Sequence, residues 1–201
     1  MGTGSIFFVE LAEWAEQESK RLLAGTGNRW LHVQGVVGLA RQVVGILPEN
    51  ERPVLLAAAH LHDVGYAEEL VRCGAHQLDG AEFLRMAGQE WLACIVAHHS
   101  EARYELEARG LGSELAAYQR EESALTDALT YCDLLTGPTG MPTSLRERVA
   151  DVERRYGDES LVVDALRKAL PALQAAVERT QLRLGRESNS YRMKAPGSPF
   201  R

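Results

Sequence analysis

Apolar residues recur along this chain at the three-and-four spacing of amphipathic helices, with no sustained alternation of strand type. Phe8, Leu11, Ala12, Ala15 and Leu22 fall near one face of a helix predicted over Ser5 to Ala24, closed by the turn Gly25-Thr26-Gly27-Asn28. Leu31, Val36, Leu39, Val43 and Leu47 mark a second helix from Trp30 to Leu47, which Pro48-Glu49-Asn50 breaks. A third begins at Pro53, a residue suited to a first turn, and runs through apolar positions to Val64. Gly65 is then expected to stop it in a left-handed conformation. A short connecting helix over Tyr66 to Arg72 and a helix over Gln77 to Met86 follow. The next, Glu90 to His98, is apolar from Trp91 to Ala97 and should be buried on most sides.

Ser100 to Arg120 is polar and broken by glycine, which predicts a lid or an excursion. Helical spacing resumes over Glu122 to Thr136, and Gly137 to Pro142 reads as a rigid loop. Ser144 and Glu147 form a capping box for a helix that Gly157 ends. A last helix is predicted over Ser160 to Leu184, with Pro171 kinking or dividing it. The tail, 185–201, is polar, carries Pro196 and Pro199, and is expected to be disordered. The fold class is all-α: one helical domain over 1–184, with its motif core at about 30–136.

Composition narrows the function classes. A 45% hydrophobic fraction in 201 residues is enough for a real core. The net charge of −6 argues against binding a nucleic-acid polymer, which wants a basic face. It leaves room for an anionic small substrate at a metal site, which carries its own positive charge. Cys73, Cys94 and Cys132 are odd in number and set in apolar helical stretches, as buried thiols of a reducing compartment would be. The apolar runs are too short to span a bilayer and no basic leader precedes them, so a cytoplasmic protein without membrane association is expected. A homodimer stays open, since the aromatic content is too modest to mark a dimer face.

The chemistry lies in His62-Asp63, side by side at the end of the third apolar run. Imidazole nitrogen and carboxylate oxygen are both good ligands for Zn, Mn or Fe. His32 precedes the pair in a helical stretch, and His76, His98-His99 and Asp133 follow it. Each sits on an apolar segment where a spare polar group would need a buried partner.

This ordered series resembles the HD superfamily of metal-dependent phosphohydrolases, over roughly Trp30 to Asp133, and looks closest to small single-domain bacterial members with a two-metal histidine set. The resemblance implies an HD-type helical bundle around a buried metal site. His32, His62, Asp63 and Asp133 would hold one metal; His76 and His98 match the extra histidines of the two-metal branch, with Asp63 bridging. Two divalent ions are implied, with Fe, Mn, Zn, Co, Ni and Mg not distinguished. The implied reaction is hydrolysis of a phosphoester or phosphoanhydride of a small phosphorylated metabolite or nucleotide by a metal-bound hydroxide. Asp63 and His99 are the catalytic candidates.

Residues one apart on a helix point about 100° apart, so His98 and His99 reach one ion only if the helix unwinds there. His98 is favoured as the direct ligand because it continues the apolar helix. His99 is then a further ligand, a neighbour of the ligands, or a proton donor to a leaving oxygen. Asp127 is the rival closing carboxylate, about 120° around the helix from Asp133, and Asp133 is preferred. His60, two residues from His62, is expected to be a packed or partly exposed histidine on another face. Asp79 and Glu82 are expected to be solvated. Arg148 and Arg155 share one side of their helix and are candidate substrate contacts, as is Tyr66; Glu101 and Tyr104 are candidate lid residues.

Tyr66 also marks a departure. Many relatives carry a lysine just after the doublet's glycine, whereas the lysines here, Lys20, Lys168 and Lys194, lie far from the motif. Three alternatives therefore stand beside the two-metal hydrolase: a mixed-valent di-iron oxygenase, a single-metal nucleotidase, and a non-catalytic metabolite-binding module.

Overall fold

The apolar run that ends in His62-Asp63 forms the middle of the molecule. The computed structural model describes residues 3–194, with side chains described over 10–186. Ten α-helices follow in order: α1 Thr3–Leu23, α2 Asn28–Val43, α3 Arg52–Leu61, α4 His76–Met86, α5 Glu90–His98, α6 Arg103–Ala108, α7 Gly112–Leu115, α8 Ala124–Leu134, α9 Leu145–Tyr156 and α10 Leu161–Lys194. Among the described residues there is no strand, only an isolated bridge between Thr136 and Pro142 that pins the loop after α8. The fold is all-α, as the periodicity predicts.

α3 packs against α1, α2, α5 and α8 and is buried nearly all round, at Val54, Leu55 and every position from Ala57 to Leu61. Its alanines let those neighbours approach closely, while Leu55 and Leu61 each contribute roughly 2 kcal/mol by leaving water. α5 is buried from Leu92 to Ala97, though Trp91 remains exposed. A smaller cluster, Leu134, Ala169, Leu173 and Val177, joins α8 to α10.

Several expectations are corrected. Gly65 does not adopt a positive φ; α3 ends at Leu61 and the chain passes through a 3₁₀ turn at Val64–Tyr66. Glycine is required there for space, because a Cβ would lie 2.0 Å from the His76 carbonyl oxygen and 2.6 Å from the Gly80 nitrogen. After that turn the Tyr66 to Arg72 segment holds a single further 3₁₀ turn, Glu68–Leu70, and no longer helix. Pro171 does not divide α10: Ala169 and Leu173, on either side of it, are buried, and this packing outweighs the missing N–H. α10 also runs past Leu184 to Lys194, into the stretch expected to be disordered; the remainder, 195–201, lies outside the described residues.

Cys73 is exposed on a loop, while Cys94 and Cys132 are buried, and all three are free thiols. Asp79 is buried, contrary to expectation. Its carboxylate accepts the backbone N–H groups of Arg72 at 3.1 Å, Cys73 at 2.9 Å and Gly74 at 3.1 Å. That bond set fixes the loop leading into His76. Glu82 is exposed, as expected.

Candidate metal centre

Five elements converge on the Asp63 carboxylate. α2 carries His32, whose Nδ1 lies 3.2 Å from the Gly137 carbonyl oxygen and whose Nε2 lies 3.0 Å from Asp133 Oδ1 on α8. That carbonyl is within reach because Gly35 and Gly140 let the loop after α8 press onto α2, where a Cβ on Gly35 would lie 2.3 Å from the Gly140 oxygen. His62 caps the end of α3 and sets its Nδ1 3.0 Å from the Ala59 carbonyl. His76 opens α4, and His99 follows α5 with its Nδ1 2.6 Å from the Val96 carbonyl.

Around Asp63, Oδ2 lies 3.5 Å from His62 Nε2 and 3.9 Å from His32 Nε2. Its Oδ1 lies 3.4 Å from His76 Nε2 and 4.0 Å from His99 Nε2. Two donor groups result, His32–His62–Asp63 and Asp63–His76–His99, with one carboxylate common to both. The imidazoles meet edge to face, with ring centres 5.5 Å apart for His32–His62 and His62–His99 and 5.3 Å for His76–His99.

The donor set fits a metal. A neutral imidazole whose Nδ1–H is donated to a backbone carbonyl presents its Nε2 lone pair outward. His62 and His99 are anchored in that manner, whereas His32 meets the Gly137 carbonyl at Nδ1 and the Asp133 carboxylate at Nε2. His62 Nε2 is buried and meets no hydrogen-bond partner, a loss that costs about 1–3 kcal/mol unless a cation accepts its lone pair. Burial also keeps two of the rings neutral, pushing His62 down to about 4 and His76 down to about 3, although Asp63 opposes the shift. For Asp63 burial acts upward, but the surrounding histidines and Arg29 prevail and hold its carboxyl well below the usual range. Asp133 is likewise held low, against the effect of burial, by its hydrogen bond to His32. The site therefore offers neutral imidazoles at His62 and His76 and ionised carboxylates at Asp63 and Asp133 at neutral pH.

A pH dependence follows for the metal-free protein. Below about pH 6.5 the unfolded chain protonates His62 and His76 while the native state resists until about pH 4 and about pH 3. The unfolded state then binds more protons, so stability falls with falling pH, by on the order of 3 kcal/mol from His62 alone across its window. Urea denaturation of chelator-treated protein at pH 7, 5.5 and 4 should show a steadily falling midpoint. An unchanged midpoint would mean that the two rings take up protons in the folded state as readily as in the unfolded chain.

The helix does unwind at the histidine pair, and the roles reverse. His98 stays on the α5 helix, with its Nε2 2.9 Å from the Tyr118 carbonyl, facing a different pocket. His99 turns extended at ψ 147°, followed by Ser100 and Glu101 at positive φ (49° and 57°), and this kink delivers its ring to Asp63. The preference for His98 as ligand is thus corrected: continuing the helix carries its ring away from the cluster. Because His99 Nδ1 is occupied by Val96, its Nε2 suits a ligand better than a proton donor. Replacing His99 with alanine should lower the metal content, whereas His98→Ala should leave it unchanged, by elemental analysis of the two variants. The opposite pattern would overturn this assignment.

The remaining candidates sort by geometry. Asp127 faces α10, where Arg179 at 2.9 and 2.5 Å and Arg183 at 2.7 Å hold it, while Asp133 joins the cluster. His60 is buried, with its Nδ1 3.2 Å from Ser19 Oγ. Tyr66 stacks on His76 with ring centres 4.1 Å apart. Arg148 lies 3.6 Å from Asp133, and Arg155 is paired with Asp151 at 2.8 Å. Arg148, Arg155, Tyr66, Glu101 and Tyr104 all line a cleft of about 480 Å³ that reaches His32, Asp63, His76, His99 and Asp133.

Two neighbours of the cluster escaped the sequence reading. Arg29 forms an ion pair with Asp63 and lays its guanidinium 3.8 Å above the Tyr66 ring. Its position three residues before His32, on the same helix face, was the available signal. The Ser100 hydroxyl donates to Asp133 Oδ2 at 2.5 Å. It depends on a left-handed backbone at a non-glycine residue, which no spacing announces.

The family model for the HD domain matches residues 29–152, which contain every residue of the cluster. No curated protein and no solved structure matches the chain. No helix among the described residues is long and apolar enough to cross a membrane.

Proposed function

Because this chain belongs to the HD domain family, we propose that it is a metal-dependent phosphohydrolase acting on a phosphoester or phosphoanhydride of a small metabolite or nucleotide. The observation that carries this reading is the single Asp63 carboxylate set between two groups of imidazoles at a cleft that also holds Arg29 and Arg148. His32, His62, Asp63 and Asp133 would hold one ion, and Asp63, His76 and His99 a second. When bound, such ions supply Lewis acidity, making water nucleophilic near neutral pH and polarising a phosphoryl group.

The protein's own groups do the rest. Asp63 and Asp133, ionised by their surroundings, set the negative charge that a dication requires. Backbone carbonyls at Ala59, Val96 and Gly137 fix three of the rings, so little reorganisation is needed on loading. Arg29 and Arg148 place cationic donors at the metal end of the cleft, where phosphoryl oxygens would lie, a duty the lysine of many relatives would share. Ser100 steadies the Asp133 carboxylate.

The test is metal per chain, by elemental analysis of protein purified anaerobically without a chelating tag, followed by phosphate release from phosphomonoesters, nucleotides and dinucleoside polyphosphates. About two equivalents with turnover supports the proposal. About one equivalent would favour a mononuclear nucleotidase, and none after reconstitution would leave a binding module. Iron-loaded protein that consumes O₂ with a substrate and releases no phosphate would replace hydrolysis with oxygenation.

A further inference from the structure

The cleft that reaches the metal centre is also walled by α9 and α10, and that wall has a different chemistry. On α9, Val149, Val152 and Tyr156 form a stripe at three-and-four spacing, and all three line the cleft. No residue of α9 is buried, although an amphipathic helix normally buries such a stripe against the core. Across from it α10 contributes Leu166, Ala169 and Leu173.

The charges nearby are already committed. Arg155 pairs with Asp151 at 2.8 Å and Arg109 with Glu105 at 2.7 Å. Arg29 and Arg148 sit against Asp63 and Asp133, at the metal end. The lining thus provides cationic recognition at the metal centre and an apolar surface along α9 and α10. Its volume of about 480 Å³ falls in the ordinary range for small-molecule sites.

We propose that the α9–α10 wall is a specificity subsite for the uncharged, apolar or aromatic body of a substrate whose single anionic group sits at the metal centre. The preferred class is then a hydrophobic or aryl monoester, in preference to small polar or polyanionic esters. The nature of the anionic group rests on the phosphohydrolase reading; the apolar subsite rests on the wall itself. Val152 and Tyr156 are its specificity residues.

Binding of two uncleavable probes to manganese-reconstituted protein, measured by calorimetry, tests the subsite apart from turnover. Phenylphosphonate should bind about tenfold tighter than methylphosphonate, because only the phenyl ring reaches the apolar wall. Val152→Asp should erase most of that ratio. Tyr156→Ser should reduce it as well, and Tyr156 is 47% exposed, so its replacement leaves folding intact. Equal affinities for the two phosphonates, or no binding of either, would overturn the subsite, as would a ratio that survives both substitutions. An aryl preference lost in the variants, without phosphate release from any ester, would retain the subsite and remove the phosphohydrolase reading instead.

Discussion

Asp63→Asn is expected to abolish binding of both metal ions and to lower turnover by roughly a thousandfold or more. Asparagine keeps the shape of the side chain and removes its charge. Four imidazole Nε2 atoms lie between 3.4 and 4.0 Å from this one carboxylate, so losing it removes the shared carboxylate from both donor groups at once. The remaining carboxylate, Asp133, contacts His32 and cannot serve the His76–His99 side. Binding to the native state alone raises stability by mass action, so the wild-type melting temperature should rise on adding metal while that of the variant should not. Elemental analysis and thermal melts of both proteins, with and without metal, check this. A variant that retains two equivalents would show that Asp63 is not the shared ligand.

Gly65→Ala is expected to cost about 3–4 kcal/mol and to lower the melting temperature by about 10 °C. Its new Cβ would stand 2.0 Å from the His76 carbonyl oxygen and 2.6 Å from the Gly80 nitrogen, both backbone atoms that no rotamer change can move aside. The start of α4 would have to shift away from the turn after His62-Asp63, and His76 with it. Stability and metal content should therefore fall together. Gly74→Ala provides the contrast: φ there is +74°, but a Cβ would meet nothing within 4 Å, so only backbone strain of about 1 kcal/mol is expected. Thermal melts of both variants decide the matter; a Gly65→Ala protein no less stable than Gly74→Ala would show that the close approach is not what positions α4.

What could be read in the sequence was whatever depends on periodicity along one helix. The apolar spacing located α5 as Glu90–His98, and the capping box at Ser144 and Glu147 marked the start of α9. The same angular reasoning separated Asp133 from Asp127, which the structure places on opposite duties. Properties that depend on neighbours distant in sequence were not legible. Gly65 looked like a conformational stop because the adjacent backbone of α4 was invisible. Asp79 looked solvated because the three amides it gathers lie on a loop with no periodic signature. The order of His98 and His99 could not be settled from spacing, since it turns on left-handed dihedrals at Ser100 and Glu101. The family resemblance identified the residues of the cluster but not this local geometry.

α9 lacks a buried side chain yet is stapled at its start by the Ser144–Glu147 box. Such a helix is fixed locally and anchored weakly, so its amides should exchange with deuterium through partial openings far below the free energy of global unfolding. Amides of α3, by contrast, should exchange only when the whole molecule unfolds. A bound molecule that covers Val149, Val152 and Tyr156 should slow exchange along α9, where the local openings make the change readable on a short timescale. Occupancy of the cleft can thus be followed by deuterium uptake alone, without knowing the reaction.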